Sequence, residues 1–330
     1  MDSGREGMGS PRIVTRPTLH VITNCTGRKS ETPPVDACLR SVKARAIDDR
    51  IREWTGRLRP TRNSVLHAAD LYAGEHWAVV KDLLQVAKAA HLTTNLWIAS
   101  AGYGLLSSGD RVRSYSASFS AEEPDYVYRK VNPRLRDGNR EWWKRLNALK
   151  ITGTRGPRSL TWLARSDPKA MFMFVASPRY LSAMADDLAE AATLLWRRRQ
   201  LTIVSSYDVR LAARFRGHVV TSGAGLSHAL GGSLVSLNAR VARDVLARGW
   251  LRRDLADTAE HYRSLAEALH QSPHQGRRLS DDQVLRHIHR LVRHRRTISA
   301  SKALREFRDA GFACEQGRFG GLFEYARLDR

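Results

Sequence analysis

A single cysteine follows the first apolar segment of the chain, and small and basic residues surround it in sequence. Cys25 lies in HVITNCTGRKS, residues 20–30, directly after five residues typical of a buried strand. A thiolate is a strong nucleophile, and the nearby Arg28 and Lys29 would favour this charged form. Free cysteine is also among the most buried residue types and often only fills space. The spacing therefore leaves two interpretations of Cys25 open, a nucleophile or a core side chain.

Candidate acids and bases occur in HAADLYAGEHW, residues 67–77. His67 and Asp70 carry groups that exchange protons in enzymes, so either could serve a Cys25 nucleophile as acid or base. On an amphipathic helix the same two residues could equally be solvated or capping groups. Tyr72 follows both residues in the sequence and is a candidate for contact with a substrate.

A long segment rich in glycine, hydroxyl and aromatic residues, SAGYGLLSSGDRVRSYSASFS, spans residues 100–120. Long structured loops at strand ends are usually functional. Its aromatic rings could stack on a nucleobase, and its serines could bind the polar edges of the base or a phosphate. The candidates for these contacts are Ser100, Tyr103, Tyr115, Ser116, Ser118 and Phe119. The alternative is a surface loop packed on itself.

Five apolar segments predict the strands that would position these residues, and helical periodicity between them predicts an α/β fold with a largely parallel sheet flanked by helices. The strands are predicted at 19–23, 95–100, 170–177, 201–206 and 217–222. Helices are predicted at 64–90, with Ser64 as N-cap, and at 177–199, which opens with Ser-Pro. Parallel strand ends share one edge, so we expect NCTGRKS, the 100–120 segment and SPRY (177–180) to converge there.

After about residue 245 the chain reads as helical. Helices are predicted at 253–270, 280–295 and 299–311. These three form either a small basic DNA-binding bundle, with SKALREFRDAG (301–311) in the recognition position, or a helical cap on the sheet. The predicted organisation is a disordered leader (1–16), an α/β domain (17–250) and a helical basic domain (251–330).

The composition points to a polyanionic partner. Fifty-five Lys and Arg against 33 Asp and Glu residues give a net charge of +22, and DNA or RNA is the common partner of such a chain. A genome-wide arginine bias is the alternative. Cys25, Cys38 and Cys314 have neither zinc-site nor disulfide spacing, which suits a reducing cytoplasm and predicts no metal and no cofactor. No apolar run approaches the roughly 20 residues of a membrane span.

The order of the motifs resembles one superfamily. Cys25-Thr26 with Lys29, then DLYAGEHW (70–77), then SAGYGLL (100–106) with a following Ser-Tyr is similar to the superfamily of the peroxide stress protein YaaA, over about residues 18–230. A related element occurs in the archaeosine synthase catalytic domain, which acts on 7-cyano-7-deazaguanine in tRNA. The bacterial Dpd system, which inserts 7-deazaguanine bases into DNA, needs a similar nitrile-converting protein.

The resemblance implies an enzyme that hydrates the nitrile of 7-cyano-7-deazaguanine in DNA through a Cys25 thioimidate, in a DNA-modification system with other modification proteins as possible partners. It implies Cys25 as nucleophile and Asp70 or His67 as acid. The substrate contacts would come from Thr26, Arg28, Lys29, Tyr72, Ser100, Tyr103, Tyr115, Ser116 and Ser118. Two alternatives remain open: a non-catalytic DNA-binding protein of stress response or phage defence with Cys25 in the core, and a nucleoside or nucleotide hydrolase led by Asp70.

Overall fold

The computed structural model describes residues 16–59, 65–129, 131, 137–149, 151, 153–154, 158–270, 276–295 and 298–328. The chain forms two compact units, Met1–Leu269 and His270–Arg330. All but the last residue of the predicted leader, and the predicted N-cap Ser64, lie outside the described residues. In the described part of the chain, no helix is long and apolar enough to cross a membrane.

The strands of the first unit are β1 (Thr18–Asn24), β2 (Leu66–His67), β3 (Thr93–Ser100), β4 (Gly104–Ser107), β5 (Arg111–Val112), β6 (Met171–Val175), β7 (Leu201–Ser205) and β8 (Val219–Thr221). Its helices are α1 (Ile47–Arg57), α2 (Ala68–Leu71), α3 (Glu75–Ala89), α4 (Gly138–Ala148), α5 (Leu160–Ser166), α6 (Pro178–Ala183), α7 (Ala185–Leu194), α8 (Val209–Arg214), α9 (Leu226–Leu230), α10 (Leu237–Ala247) and α11 (Leu255–His270).

One sheet organises this unit, with strand order β4-β3-β1-β6-β7-β8. Five strands run parallel, and β4 alone in this sheet is antiparallel to its neighbour β3. The register sets Ile22 opposite Trp97 on one side and Phe174 on the other. Val21 and Ile22 are consecutive and both fully buried, as in a sheet covered on both faces. The five predicted strands are the five parallel strands, and the predicted α/β class is confirmed.

The predicted helix 64–90 is interrupted. Residues 66–67 form β2, a four-residue helix follows, and α3 begins only at Glu75. Gly74 has φ +97°, a conformation that favours glycine and ends helical continuity. The backbone of Tyr72 also pairs with that of Lys29 in an antiparallel bridge, which a continuous helix would not allow.

The predicted helix 177–199 is also divided. Ser177 and Pro178 open α6 as expected, but the chain leaves helical geometry after Leu194, where Leu195 has an extended backbone with ψ 139°. The arginines at 197–199 therefore follow the helix rather than end it. The local periodicity predicted the apolar face of this segment. It did not predict the break between α6 and α7 or the end of α7 at Leu194.

The boundary between the two units lies at Leu269/His270, about 20 residues later than the predicted 250. Helix α11 packs within the first unit because Tyr262 is fully buried in its core and donates a hydrogen bond to Asp244 on α10 at 2.6 Å. The first of the three predicted C-terminal helices thus belongs to the α/β unit.

The second unit contains β9 (Arg277–Arg278), α12 (Asp281–His294), α13 (Ala300–Asp309), β10 (Phe312–Ala313) and α14 (Gln316–Leu328). Ser280 and Ser299 cap α12 and α13 as their sequences indicate, and Gly311 has φ +84° after α13. The two-residue strands β9 and β10 pair in parallel, although strand signals were expected to stop near residue 245. A separate apolar core, which includes Ile288, Phe307 and Phe319, holds the three helices together.

Candidate active site

Cys25 begins the loop after β1, at the carboxyl edge of the parallel sheet. Its backbone N–H donates to the Ala99 carbonyl at 2.9 Å, which ties it to the end of β3. Its Sγ lies 3.0 Å from the hydroxyl oxygen of Tyr180, and its side chain is 6% exposed. The connections reverse direction between β1 and β6, and open parallel sheets bind ligands in the crevice beyond such a point. Cys25 therefore occupies the place in the fold where a ligand site is expected.

A second link crosses the same crevice. The Asn24 Oδ1 accepts a hydrogen bond from the Ser177 N–H at 3.1 Å, and its Nδ2 donates to the Cys25 carbonyl at 3.1 Å. Ser177 is the N-cap of α6, the short helix that carries Tyr180. Asn24 thus fixes the start of α6 relative to the end of β1, which positions the Tyr180 hydroxyl at Cys25. The NCTGRKS and SPRY segments therefore converge as predicted, through these direct contacts.

A chain of buried hydroxyl groups adjoins Cys25. The Ser100 Oγ accepts two backbone N–H groups of the turn after β3, so its own proton is directed to the Tyr115 hydroxyl at 2.5 Å. The Tyr115 hydroxyl lies 3.0 Å from that of Tyr72. Burial raises the pKa of both tyrosines well above 10, and a thiolate at Cys25 would raise it further. These phenols therefore remain protonated donors at neutral pH.

Lys29 supplies a positive charge beside this chain. Its Nζ lies 4.5 Å from the centre of the Tyr115 ring and 5.8 Å from that of Tyr72, and it donates to the Thr26 carbonyl at 3.2 Å. Burial lowers the pKa of Lys29, and a thiolate at Cys25 would partly offset this effect. A half-buried ammonium group here stabilises negative charge that forms on the cysteine sulfur.

Thr26 and Arg28 have different positions in the loop. The Thr26 hydroxyl lies 2.9 Å from the Arg28 carbonyl oxygen and 3.1 Å from that of Ala73, so it shapes the loop and ties it to the start of α3. Arg28 is exposed, and the aliphatic part of its side chain lies over Gly74. Arg28 is therefore the solvent-facing cation of the Cys25 loop.

The turn after β3 is built for close packing. Trp54 and Trp142 donate their indole N–H groups to the carbonyls of Gly102 and Ala101, each at 2.8 Å. A Cβ at Gly102 would approach the Tyr115 ring to 2.4 Å, so only glycine fits there. The turn is thereby fixed against the Tyr115 ring, whose hydroxyl belongs to the buried hydroxyl chain beside Cys25.

Tyr103 and Tyr115 differ from the expectation that they stack on a base. Both side chains are fully buried, and their rings pack edge to face at 5.1 Å. The Tyr103 hydroxyl accepts the Arg113 N–H at 3.0 Å. Neither ring presents an exposed face, because the 100–120 segment folds inward onto the sheet edge. Phe119 is also buried and packs at 5.1 Å against the ring of Tyr180, so the segment supports the group that contacts Cys25.

The two candidate serines of this segment lie in its backbone network. Ser116 donates its N–H to Ala37 at 2.8 Å and accepts the Leu39 N–H at 2.9 Å. The Ser118 Oγ accepts the Ser120 N–H at 3.0 Å. Both serines are half-buried. Both serines hold the segment in place through these hydrogen bonds.

His67 and Asp70 are both exposed. The His67 Nδ1 lies 3.1 Å from the Gly109 carbonyl oxygen, and the Asp70 backbone carbonyl, rather than its carboxylate, accepts a hydrogen bond from Ser30 at 2.8 Å. The Cys25 Sγ instead lies 3.0 Å from the Tyr180 hydroxyl. A side-chain contact to the sulfur thus comes from Tyr180, and the acid roles of His67 and Asp70 remain predictions.

The site residues predicted from sequence did not include Tyr180 and Asn24, which contact Cys25 in the structure. Each had a signal: Asn24 is the last residue of the first strand, and Tyr180 lies in the SPRY segment that follows another strand. Arg40 and Asp125 form a further polar link near the site, since the Asp125 carboxylate accepts the Arg40 N–H at 2.7 Å and its guanidinium at 2.6 Å.

The cluster contains the parts of a covalent cysteine site. A sulfur nucleophile, a phenol within hydrogen-bond distance and an ammonium group lie together at the sheet edge. In the described part of the chain, no group of three or more His, Cys, Asp or Glu side chains is arranged to hold a metal ion. Comparison with protein families, curated proteins and solved structures finds no match to this chain.

Proposed function

We propose that this chain is a cysteine-dependent enzyme that modifies a nucleobase, hydrating the nitrile of 7-cyano-7-deazaguanine in DNA to the amide. The observation that carries the proposal is the Cys25 Sγ, 3.0 Å from the Tyr180 hydroxyl at the reversal point of the sheet and beside the Lys29 ammonium group. The resemblance of the Cys25 and SAGYGLL motifs to the YaaA superfamily supports the choice of a nitrile base.

In the proposed first step, the Cys25 thiolate attacks the nitrile carbon and forms a C–S bond. One π bond of the nitrile becomes an N–H bond, with the proton supplied by Tyr180, and a thioimidate results. Burial and the charge of Cys25 raise the pKa of Tyr180 well above 10. Tyr180 therefore keeps its proton until a basic nitrogen develops beside it.

In the second step, water adds to the thioimidate carbon and one of its protons passes to nitrogen. The C–S bond of the tetrahedral intermediate then breaks and the electron pair returns to sulfur. The remaining hydroxyl proton goes to the Tyr180 phenolate, which leaves a carboxamide, a thiolate and a neutral phenol. The net change is the addition of one water, with no oxidant or reductant.

Substrate access constrains the proposal. Cys25 is 6% exposed, so a base must displace neighbouring side chains to reach the sulfur. The half-buried Tyr180 and the exposed Arg28 border this approach. A base inside a duplex must also leave the stack, which costs a few kcal/mol and favours a flipped or single-stranded nucleotide. The net charge of +22 supports binding of the DNA backbone.

A non-catalytic DNA-binding protein is the second candidate, and the near-complete burial of Cys25 is the observation that favours it. In that case the sulfur fills space between β1 and α6, and the tyrosine cluster only stabilises the sheet edge. The proposed enzyme and this alternative differ in whether a product forms.

The test is incubation of the full chain with an oligonucleotide that contains 7-cyano-7-deazaguanine, followed by digestion to nucleosides and mass spectrometry. The proposal predicts conversion to a nucleoside heavier by about 18 Da, the mass of one water. Unchanged nucleoside from both single-stranded and duplex substrates would contradict the nitrile assignment. Tight, salt-sensitive DNA binding without product would favour the binding protein.

A further inference from the structure

Helix α12 of the second unit has two sharply different faces. Val284, Ile288 and Val292 recur every four residues and are buried against the other helices of the unit. Basic and imidazole side chains occupy another side of the helix, here called the α12 basic face and defined as Arg286, His289, Arg290, Arg293 and His294. The apolar face explains the fold of this unit, but the α12 basic face has no role in it.

These residues, together with Leu285, line an open recess of about 370 Å³. The exposed Arg286, Arg290 and Arg293 side chains border this recess, and their positive charge suits an oxyanion.

The arginines of this face have one carboxylate within a helical turn, that of Asp282, four residues before Arg286. In the described part of the chain, no ion pair is formed by Arg286, Arg290 or Arg293, and the sequence between Asp282 and Glu306 has seven Lys or Arg residues and no carboxylate. A genome-wide arginine bias does not by itself explain why three arginines of one helix face form no ion pair in the described part of the chain.

Helix α10 shows the contrast. Its Arg240 and Arg243 are bound to Glu75 and Asp82, each at 2.7 Å. These arginines are neutralised within the fold, whereas those of the α12 basic face remain available to an anion from outside.

We propose that the α12 basic face binds the phosphate backbone of duplex DNA. This inference deepens the proposed function, because it names the surface of the second unit that would hold the DNA substrate. Arg286 and Arg293 are seven residues apart, about 10 Å along the helix axis, so the row can reach successive phosphates of one strand. A helix about 10–12 Å wide also fits the edge of a major groove about 12 Å wide.

The choice of α12 differs from the predicted recognition helix. In α13, the exposed Lys302 and Arg305 lie beside Glu306 and Asp309, which reduce the local positive charge. Glu306 is paired with Arg295 at 2.5 Å, and Arg308 donates to the Cys314 carbonyl at 2.9 Å. The basic groups of α13 thus partly serve the fold of the unit.

The experiment compares two double variants of the full chain. Arg286→Gln/Arg290→Gln removes two exposed charges from the α12 basic face, and Lys302→Gln/Arg305→Gln is the matched control on α13. Binding to a fluorescent 20-base-pair duplex of ordinary bases is followed by anisotropy over a range of salt concentrations. Thermal unfolding of each variant confirms that its fold is retained, and Arg286→Gln/Arg293→Gln is the replacement if the first pair unfolds.

We expect the α12 variant to bind about tenfold more weakly near 0.1 M salt and to lose about two from the slope of log K against log salt, with the control within about threefold of wild type. Equal losses in both variants, or a larger loss in the α13 control, would overturn the inference. The same variants are also titrated with single-stranded RNA and with anionic lipid vesicles. A loss of binding confined to either of these ligands would also overturn the inference. The duplex contains no nitrile, so this result is independent of whether the conversion reaction occurs.

Discussion

The hydroxyl oxygen of Tyr180 lies 3.0 Å from the Sγ of Cys25, although 155 positions separate the two residues in the chain. The parallel pairing of β1 with β6 makes this contact, because it brings the ends of both strands to one edge. The Asn24–Ser177 hydrogen bond then fixes the helix that carries Tyr180. In the proposed reaction, this sulfur is the nucleophile and this phenol is the acid.

Replacing Tyr180 with phenylalanine tests its role as the acid. Tyr180→Phe keeps the aromatic ring that packs against Phe119 but removes the hydroxyl that lies beside the Cys25 sulfur. We expect the rate of nitrile conversion to fall about a hundredfold with little change in thermal stability. The exposed Tyr207→Phe is the control and should convert at the wild-type rate. A Tyr180→Phe enzyme with unchanged rate would assign the proton to another donor.

The pH dependence of the rate tests the role of Lys29 in positioning charge at Cys25. Burial lowers the pKa of Lys29 from 10.5, so its positive charge is lost before that pH is reached. We predict that activity falls at alkaline pH with an apparent pKa below 10.5, and that Lys29→Met is slow and lacks this limb. The exposed Lys81→Met should keep the wild-type profile. An identical alkaline limb in Lys29→Met would exclude Lys29 as its origin.

The hydroxyl chain predicts a cost in stability at Tyr115. Tyr115→Phe leaves the Ser100 and Tyr72 hydroxyls without a shared buried partner. We expect a loss of about 1–3 kcal/mol in the free energy of unfolding, measured by urea denaturation. Tyr207→Phe should stay within about 0.5 kcal/mol of wild type because its side chain is exposed. A neutral Tyr115→Phe would mean that these hydroxyls find other partners.

His76 predicts a loss of stability in acid. It is buried beside Thr23 at 2.9 Å, and burial lowers its pKa to about 4. The unfolded chain therefore binds more protons between about pH 6.5 and 4, so stability is present above this window and falls as pH drops through it. We expect up to about 3 kcal/mol of this fall to come from His76.

Unfolding measured at several pH values checks this prediction. His76→Gln should flatten the curve in that window relative to wild type, whereas His91→Asn at an exposed position should not. Wild-type and His76→Gln curves of the same slope would show that His76 does not drive the acid transition.

The strands were predictable from sequence, but parts of the helical pattern were not. Near-continuous apolar segments identify strands buried on both faces, and all five were found within two residues of their ends. The segment 64–90 kept helical periodicity across a break that Gly74 and the pairing of Lys29 with Tyr72 impose. Helix α14 was missed because Gly317, Gly320 and Gly321 argue against a helix, whereas burial of Phe319 and Phe323 supports one.

The candidate site was predictable in its location and only partly in its members. Strand ends indicated that the Cys25 loop, the 100–120 segment and SPRY would meet. Sequence could not show that Tyr103 and Tyr115 point inward, because an aromatic residue in a loop has no periodic signal for burial. It also could not show that Tyr180 contacts Cys25, since that contact depends on the pairing of β1 with β6.

The conversion rate of Cys25→Ala, measured beside Cys38→Ala, tests the central claim most directly. Both cysteines are buried in the same unit, so loss of a small core side chain affects the two variants alike. With oligonucleotide containing 7-cyano-7-deazaguanine, we predict no detectable amide from Cys25→Ala and near wild-type conversion by Cys38→Ala when both are folded. Amide formation by Cys25→Ala at the wild-type rate would contradict the proposal that Cys25 is the nucleophile.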